Sequence, residues 1–345
     1  MDRDISLYQM IKSAVINGEL PDGFSLPQET EDKSGLHFAD GAMDGIAVYH
    51  MVGAEPGEDQ CALMERAVRA AAAGSADQAD ALFLQLGQEA RALTMIDTLQ
   101  AWVIDHRQEL NAQNLWNYAC HAMMDAQDRE CVKFGMSLLE VFQTADRPSV
   151  RNAVRILGLS DEFTLFSVFI MRRWPDGNEE IWNLAQRVHG WGRVHAVECL
   201  EPATDAIREW LLTEGVRNHI MYSYSALTCW QKADAADALK RELTRKEFSG
   251  IRDIIGGLLD EGPVQGISAI ENANDAILDF LHAAQRISLA AEDYDTIRNI
   301  GQYFENEDSS SPEIAALCKD LLHSEACRTA GSLTVKTEQD EPRAE

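Results

Sequence analysis

Apolar side chains recur at three- and four-residue steps along most of the chain, which is the spacing of one buried face of an α-helix. Residues 178–215 show the pattern clearly, because Gly190 and Gly215 break it into short segments. The outer segments carry the stripes Ile181, Leu184, Ala185, Val188 and Ala203, Ala206, Ile207, Trp210, Leu211. Pro202 suits the first position of the last helix. Helices this short need neighbouring helices for stability, so the stretch predicts a stacked helical array.

From residue 59 onward the helical pattern is regular, with a new helix about every 15–18 residues and a helix pair about every 30–35 residues. This period is typical of HEAT-like repeats. The tetratricopeptide period is close, but its Trp–Leu–Gly–Tyr signature is not visible. Alternating strand patterns are almost absent. We therefore expect an all-α protein, a HEAT-like α-solenoid in which antiparallel helix pairs stack into a right-handed superhelix.

The pattern divides the chain into three predicted regions. Residues 1–58 hold an amphipathic helix and an irregular arm that is rich in proline, glycine and acidic residues. Residues 59–323 form the helical-repeat domain, and residues 161–174 within it are apolar on nearly all sides, which predicts a buried helix. Thr244 and Glu247 offer a capping box for a later helix. Residues 324–345 are polar and charged, and they predict a disordered acidic tail.

The charge balance limits the partners that the surface can attract. Thirty basic residues stand against 57 acidic residues, which gives a formal net charge of −27. Such a surface repels phosphate groups, so it disfavours nucleic acids and anionic membranes. A basic protein or peptide is the partner that this charge favours. The oligomeric state is left open.

The cysteines and the first residues of the chain indicate the cellular compartment in which the protein is expected. None of the seven cysteines pairs with another in a C-x-x-C spacing, and most fall on apolar helix faces, which indicates reduced thiols and no zinc site. The first residues do not resemble a secretory signal, and no apolar run reaches about 18 residues. We expect a cytoplasmic protein that does not associate with membranes.

One group of potential ligands lies in the segment LHFADGAMDGIAVYHM. It consists of His37, Asp40, Asp44, Tyr49 and His50. Imidazole and carboxylate together can bind a divalent metal or transfer protons, so His37, Asp40, Asp44 and His50 are candidate metal ligands. Their spacing is not that of a known ligand set. The alternative is that DGAMDGI forms a turn and a short helix at the end of the solenoid, with its aspartates as caps.

A second group lies in RVHGWGRVHAVE, within the stretch where the helical pattern is clearest. It comprises Arg187, His189, Trp191, Arg193, His195 and Glu198. His195 and Glu198 are three residues apart and can share a helix face, and Trp191 is a large aromatic side chain between two glycines in a predicted loop. The segment is therefore a candidate binding surface, and the alternative is packing between two helices.

A third group, in GVRNHIMYSYSALTCW, adds Arg217 and His219 to the candidate binding residues, unless the segment is simply the next helix of the array. Several known motifs are missing. There is no complete G-x-G-x-x-G, no phosphate-binding loop, no G-x-S-x-G and no H-E-x-x-H, so the residues predict no cofactor and assign no catalytic residue.

The segments FADGAMDGIAVYHM and RVHGWGRVHAVECLEPATDAIREWLLTEGVRNHIM resemble a family of bacterial helical-repeat proteins commonly labelled limonene hydroxylase. The resemblance implies a monooxygenase that acts on a cyclic monoterpene. No motif for haem, flavin, copper or non-haem iron accompanies it.

Two hypotheses follow. In the first, the protein is a non-enzymatic helical-repeat scaffold or adaptor that binds a basic protein or peptide in a groove. In the second, it is the monooxygenase that the resemblance implies, and convergence of His37, His50, His189 and His195 on one metal would support it.

Overall fold

The structure, a computed structural model, describes residues 5–27, 38–50, 55–262, 264–305, 311–324 and 327. Within these ranges the regular secondary structure is entirely helical, and Ile16 and Glu19 form an isolated bridge. The prediction of an all-α protein is confirmed. The chain divides into two compact units, Met1–Leu200 and Glu201–Glu345. The tail predicted from residue 324 falls almost entirely outside the described residues.

The first unit contains eleven α-helices among its described residues. They are α1 (Leu7–Ala14), α2 (Ala42–His50), α3 (Glu58–Ala72), α4 (Ala76–Glu89), α5 (Ala92–Asp105), α6 (Ala112–Asp125), α7 (Arg129–Glu140), α8 (Pro148–Gly158), α9 (Asp161–Met171), α10 (Gly177–Ala185) and α11 (Trp191–Cys199). Sequence neighbours pack together in α3 with α4, α6 with α7, α8 with α9, and α10 with α11. In addition, α9 packs on both α7 and α11.

The centre of the first unit is α9, whose residues Phe163–Val168 are all buried. This confirms the prediction of a buried helix in residues 161–174. Because α9 is covered on all sides, its first turn, which carries Asp161 and Glu162, lies inside the protein as well. Glu162 is only 7% exposed. A buried carboxylate needs cations or hydrogen-bond donors around it, and neighbouring helices supply them.

The second unit has its own helices. They are α12 (Asp205–Trp210), which continues into a π-helical turn (Leu211–Gly215), then α13 (Ser223–Lys232), α14 (Ala235–Ala238), α15 (Arg245–Leu258), a 3-10 turn (Ile267–Ala269), α16 (Ala273–Ala284), α17 (Ala291–Glu305) and α18 (Pro312–Leu322). The predicted capping box is confirmed, since Thr244 accepts from the Glu247 amide and Glu247 accepts from the Thr244 amide. Pro202 does not start α12, because the Thr204 side chain caps that helix instead.

An ion-pair network holds α15 to the start of α17 in the second unit. Asp293 is fully buried, and its carboxylate lies 2.7 Å from Arg245 Nη1 and 3.1 Å from Arg252 Nη1. It also accepts a 2.6 Å hydrogen bond from the Ala290 amide. The buried charge is therefore matched by two cations and a backbone donor, as a buried carboxylate requires.

None of the helices in the described part of the chain combines the length and the hydrophobicity needed to cross a membrane. All seven cysteines are free thiols.

Candidate functional site

A fully buried lysine lies among three carboxylates at the centre of the first unit. Lys133 Nζ is 2.7 Å from Asp44 Oδ2, 3.2 Å from Glu130 Oε1 and 2.5 Å from Glu162 Oε1. Burial alone would lower the pKa of Lys133, but the three carboxylates outweigh it and raise the pKa. Lys133 therefore stays an ammonium ion, and its role is that of a fixed counter-ion and not of a nucleophile.

Arg129, one helical turn before Lys133, ties the segment before α2 to the same cluster. Its Nη1 lies 2.9 Å from Asp40 Oδ1 and 2.8 Å from Glu162 Oε2. Its Nη2 donates to the carbonyl oxygens of Leu26 and Pro27, and Asp40 Oδ2 accepts from the Leu26 amide at 2.9 Å. The guanidinium of Arg129 thus connects Asp40, Glu162 and the backbone at residues 26–27, because it presents several N–H donors in one plane.

Two glycines let the α2 segment (residues 38–50) approach α9 and α11. The Gly41 amide donates to Glu162 Oε2 at 2.9 Å, and Gly41 has a φ of +76°, which favours glycine. A Cβ on Gly45 would lie only 2.2 Å from the Trp191 ring, so the α2 backbone rests directly on the indole. The segments FADGAMDGIAVYHM and RVHGWGRVHAVE are therefore in contact.

The first turn of α11 is fixed by Asp161. The Gly192 amide donates to Asp161 Oδ1 at 2.9 Å, and the Gly190 amide also binds this carboxylate. Burial raises the pKa of Asp161 to about 6, although the two amide donors act in the opposite direction. The prediction that Trp191 lies in a loop is wrong. Trp191 is the first residue of α11 and is buried, because its two flanking glycines pack against Asp161.

Tyr49, Trp191 and His195 form an aromatic group between α2 and α11. The ring centroids are 6.1 Å apart for Tyr49 and Trp191, 6.4 Å for Tyr49 and His195, and 6.1 Å for Trp191 and His195. His195 is 3% exposed, and its Nε2 has no hydrogen-bond partner in the described structure. Burial lowers the pKa of His195 to about 4, so the ring is neutral at pH 7.

The other residues predicted to form a binding surface have different environments. In the first unit Arg193 is buried, whereas Arg187, His189 and Glu198 are exposed. The side chains of His195 and Glu198 therefore do not lie on one common surface.

Arg217 and His219 belong to the second unit. Arg217 donates to Asp253 at 2.8 Å and to Glu214 at 3.1 Å, and His219 is exposed. Although burial opposes it, the hydrogen bond to Asp253 raises the pKa of Arg217. Arg217 is held in ion pairs within its own unit.

The four candidate metal ligands are not equivalent. Asp40 is paired with Arg129, and Asp44 is paired with Lys133. His50 is exposed at the last residue of α2, and His37 lies outside the described residues. Within the part of the chain that the structure describes, no group of three or more His, Cys, Asp or Glu side chains is arranged to hold a metal ion.

Lys133 and Arg129 were not identified from the sequence. A lysine three residues after a glutamate usually indicates an exposed ion pair on a helix, whereas every residue of α7 from Glu130 to Leu139 is buried. The one available signal was the set of aspartates in DGAMDG, which need cationic partners if that segment is buried.

A groove on the first unit is a second candidate site. It has a volume of about 1120 Å³ and lies between α1, α4, α6 and the start of α7. Three of its lining side chains are acidic, namely Asp80, Asp125 and Asp128. Ile5 and Leu84 also line it and are 43% and 42% exposed. Ile5 and Leu84 therefore give the acidic lining an apolar part that can contact apolar side chains of a partner.

His121 bridges two of the groove carboxylates. Its Nε2 lies 3.3 Å from Asp80 Oδ2, and its Nδ1 lies 3.1 Å from Asp125 Oδ2. Tyr118 donates to the other Asp80 oxygen at 2.9 Å. Partial burial would lower the pKa of His121, but the hydrogen bonds to Asp80 and Asp125 outweigh it and raise the pKa.

Packed aromatic rings lie beneath this part of the groove. Phe83 packs on Tyr118 and Phe134 with centroid distances of 5.6 and 5.2 Å. The α1 helix is attached to the same region, because Ser6 Oγ donates to the Met124 carbonyl oxygen and the Leu7 amide donates to the Ala126 carbonyl oxygen. The groove is therefore built on packed helices.

Comparison of the chain with protein-family models, with curated proteins and with solved structures gives no match.

Proposed function

We propose that the protein is a helical-repeat scaffold or adaptor that binds a basic protein or peptide in the groove between α1, α4, α6 and α7. The observation that carries the proposal is the combination, in one groove of about 1120 Å³, of three aspartates with the exposed side chains of Ile5 and Leu84. A partner that presents lysine or arginine next to large apolar side chains complements this lining in charge and in hydrophobicity.

The net charge of −27 supports the same class of partner. An acidic surface accelerates the approach of a basic partner and slows that of an acidic one. The charge pairs on the groove are partly exposed, so their contribution is screened by salt. Binding is therefore expected to weaken as the ionic strength rises.

The experiment uses a short fluorescent peptide of alternating lysine and leucine, with glutamate–leucine and lysine–serine peptides as controls. Fluorescence anisotropy should show that only the lysine–leucine peptide binds well, with an affinity that falls with added salt. Equal binding of the lysine–serine peptide would contradict the proposed apolar contacts with Ile5 and Leu84. Binding that is insensitive to salt would contradict the proposed attraction between the aspartates and a basic partner.

Matched variants locate the binding site. Asp125→Asn and Leu84→Ser change exposed positions in the groove, whereas Asp97→Asn and Ile104→Ser make the same changes at exposed positions of α5 outside it. Asp125→Asn should weaken binding about two- to five-fold, the usual contribution of one exposed ion pair. Equal effects of the groove and control variants would contradict this location.

We also propose that the helical region, residues 59–323, is a HEAT-like α-solenoid with a right-handed superhelix. The packing of α3 on α4, α6 on α7, α8 on α9 and α17 on α18 supports repeated helix pairs. Small-angle X-ray scattering tests the proposal, because a compact chain of this length would have a radius of gyration of about 20 Å. A solenoid should give a clearly larger value.

The alternative function, a monooxygenase similar to limonene hydroxylase, rests on the resemblance and stays a prediction. The two segments that carry the resemblance are in contact through Gly45, Tyr49 and Trp191, and this packing fits either function. A visible absorption spectrum and metal analysis of the purified protein test it. A bound chromophore or redox metal would favour the enzyme over the scaffold.

A further inference from the structure

We infer that protonated His121 occupies the cation-binding position of the groove, so that partner binding is coupled to proton release and strengthens as pH rises. This inference rests on the proposed function, because it describes how the same groove is regulated. A partner's lysine or arginine would bind in the space between Asp80 and Asp125.

The geometry of His121 carries the inference. Both ring nitrogens face carboxylate oxygens, Asp80 Oδ2 at 3.3 Å and Asp125 Oδ2 at 3.1 Å. A neutral imidazole has only one N–H, whereas an imidazolium can donate to both carboxylates. The arrangement therefore fits the charged ring, and the raised pKa of His121 agrees with it. His121 supplies within the chain the cation that a basic partner would bring.

The side chain has room to move away from this position. The side chain of His121 is 42% exposed, and it lines a smaller cavity of about 290 Å³ as well as the main groove. Asn114, Asn117 and Tyr118 also line the smaller cavity. A ring that loses its proton keeps at most one of its two carboxylate hydrogen bonds, and turning into the smaller cavity leaves Asp80 and Asp125 open to a partner's cation.

The other ionisable groups around His121 do not provide the same coupling. On α7, Arg129 is bound to Asp40 and Glu162, Asp128 accepts from the Cys131 amide as the helix cap, and burial raises the pKa of the Cys131 thiol. On α6, Tyr118 donates a hydrogen bond to Asp80, and its pKa is raised by burial. Ile5, just before α1, and Leu7 and Met10 of α1 also line the groove, and they do not ionise. His121 is the lining residue that changes its charge near neutral pH.

Isothermal titration calorimetry of the full chain with the lysine–leucine peptide tests the inference. Measurements at pH 6.0 and 8.5, each in two buffers of different ionisation enthalpy, give both the affinity and the number of protons released. We expect the affinity to rise several-fold between the two pH values, with net proton release on binding at the lower pH. His121→Gln should raise the affinity at pH 6.0, because the competing cation is gone, and should lose the proton release and most of the pH dependence.

His282→Gln is the matched control, since His282 is exposed on α16 in the second unit. It should behave as the unchanged protein does. Peptide binding that is independent of pH, or proton release that persists in His121→Gln, would overturn the inference and leave the proposed function intact. Absence of peptide binding at every pH and at low salt would overturn both.

Discussion

Gly45 and Trp191 are in such close contact that the indole ring occupies the space where any other residue at position 45 would place its Cβ. The contact joins a short helix near the start of the chain to the first residue of α11. It shows that α2 is part of the core of the first unit, together with Lys133 and Glu162.

Gly45→Ala should destabilise the protein by about 1–3 kcal/mol, because the added methyl group forces the indole or α2 to move in a packed core. Chemical denaturation followed by circular dichroism measures the change. Gly256→Ala is the matched control, since Gly256 also lies inside a helix but its nearest neighbour would be 3.9 Å from the new Cβ. That variant should gain about 0.5–1 kcal/mol from the better helix propensity of alanine. A neutral Gly45→Ala would contradict the packing described for α2.

Lys133→Met should cost about 3–5 kcal/mol, because it removes the cation from Asp44, Glu130 and Glu162 while leaving their carboxylates buried. The loss should shrink as the pH falls, since protonation of the carboxylates removes the unpaired charge. Lys246→Met, at a lysine whose side chain is 61% exposed, should change stability little. Denaturation at pH 7 and pH 4 checks both expectations, and equal losses for the two variants would refute the buried cluster.

Asp161 should make the protein less stable as the pH rises from about 4 to about 6. Its pKa is about 6 in the folded protein and about 3.9 in an unfolded chain, so the folded state binds the extra proton in this range. Asp161→Asn keeps an oxygen that can accept from the Gly192 amide, and it should remove this contribution, so that the free energy of unfolding rises more steeply with pH between about 4 and 6 than in the unchanged protein. Denaturation across this range tests it, with Asp97→Asn on an exposed face of α5 as the control. An unchanged pH profile in Asp161→Asn would contradict the assignment.

His195 should act in the opposite direction over a similar range. Its pKa is about 4 in the folded protein and about 6.5 when unfolded, so stability is lost as the pH falls from about 6.5 to about 4. The full effect amounts to about 3 kcal/mol. His195→Phe keeps a ring between Tyr49 and Trp191 and should remove this contribution, so that stability falls with rising pH between about 4 and 6, whereas His282→Phe at an exposed position should leave the profile unchanged. In the unchanged protein the contributions of Asp161 and His195 partly cancel, so each single variant should show a steeper profile than the parent.

Much of the helical architecture could be predicted from the sequence, because it depends on local spacing. The stripe of Ile181 and Leu184 and the capping box of Thr244 and Glu247 are properties of a few consecutive residues, and both occur as expected. The boundaries were less predictable. Pro202 has the right chemistry for a helix start, but Thr204 supplies a side-chain cap and α12 begins after it.

The candidate sites could be predicted only in part, because they depend on contacts between distant residues. The aspartates of DGAMDG and the glycines around Trp191 stood out as unusual, but nothing local shows that they pack together. Their contact depends on α9. Asp161 accepts a hydrogen bond from the Gly192 amide of one segment, and Glu162 accepts one from the Gly41 amide of the other. The groove was not predicted for the same reason, since Asp80 and His121 are on different helices and 41 residues apart.

The long sequence separation within the first unit also determines the order in which the protein can fold during synthesis. Gly41 and Glu162, which share a hydrogen bond, are 121 residues apart. A ribosome releases Gly41 well before it releases α9, and α11 follows later still. Residues 38–50 therefore cannot make their contacts with α9 and α11 until most of the first unit has been made. The charge balance around Lys133 needs Asp44 from the start of the chain and Glu162 from α9, so it is complete only after that point.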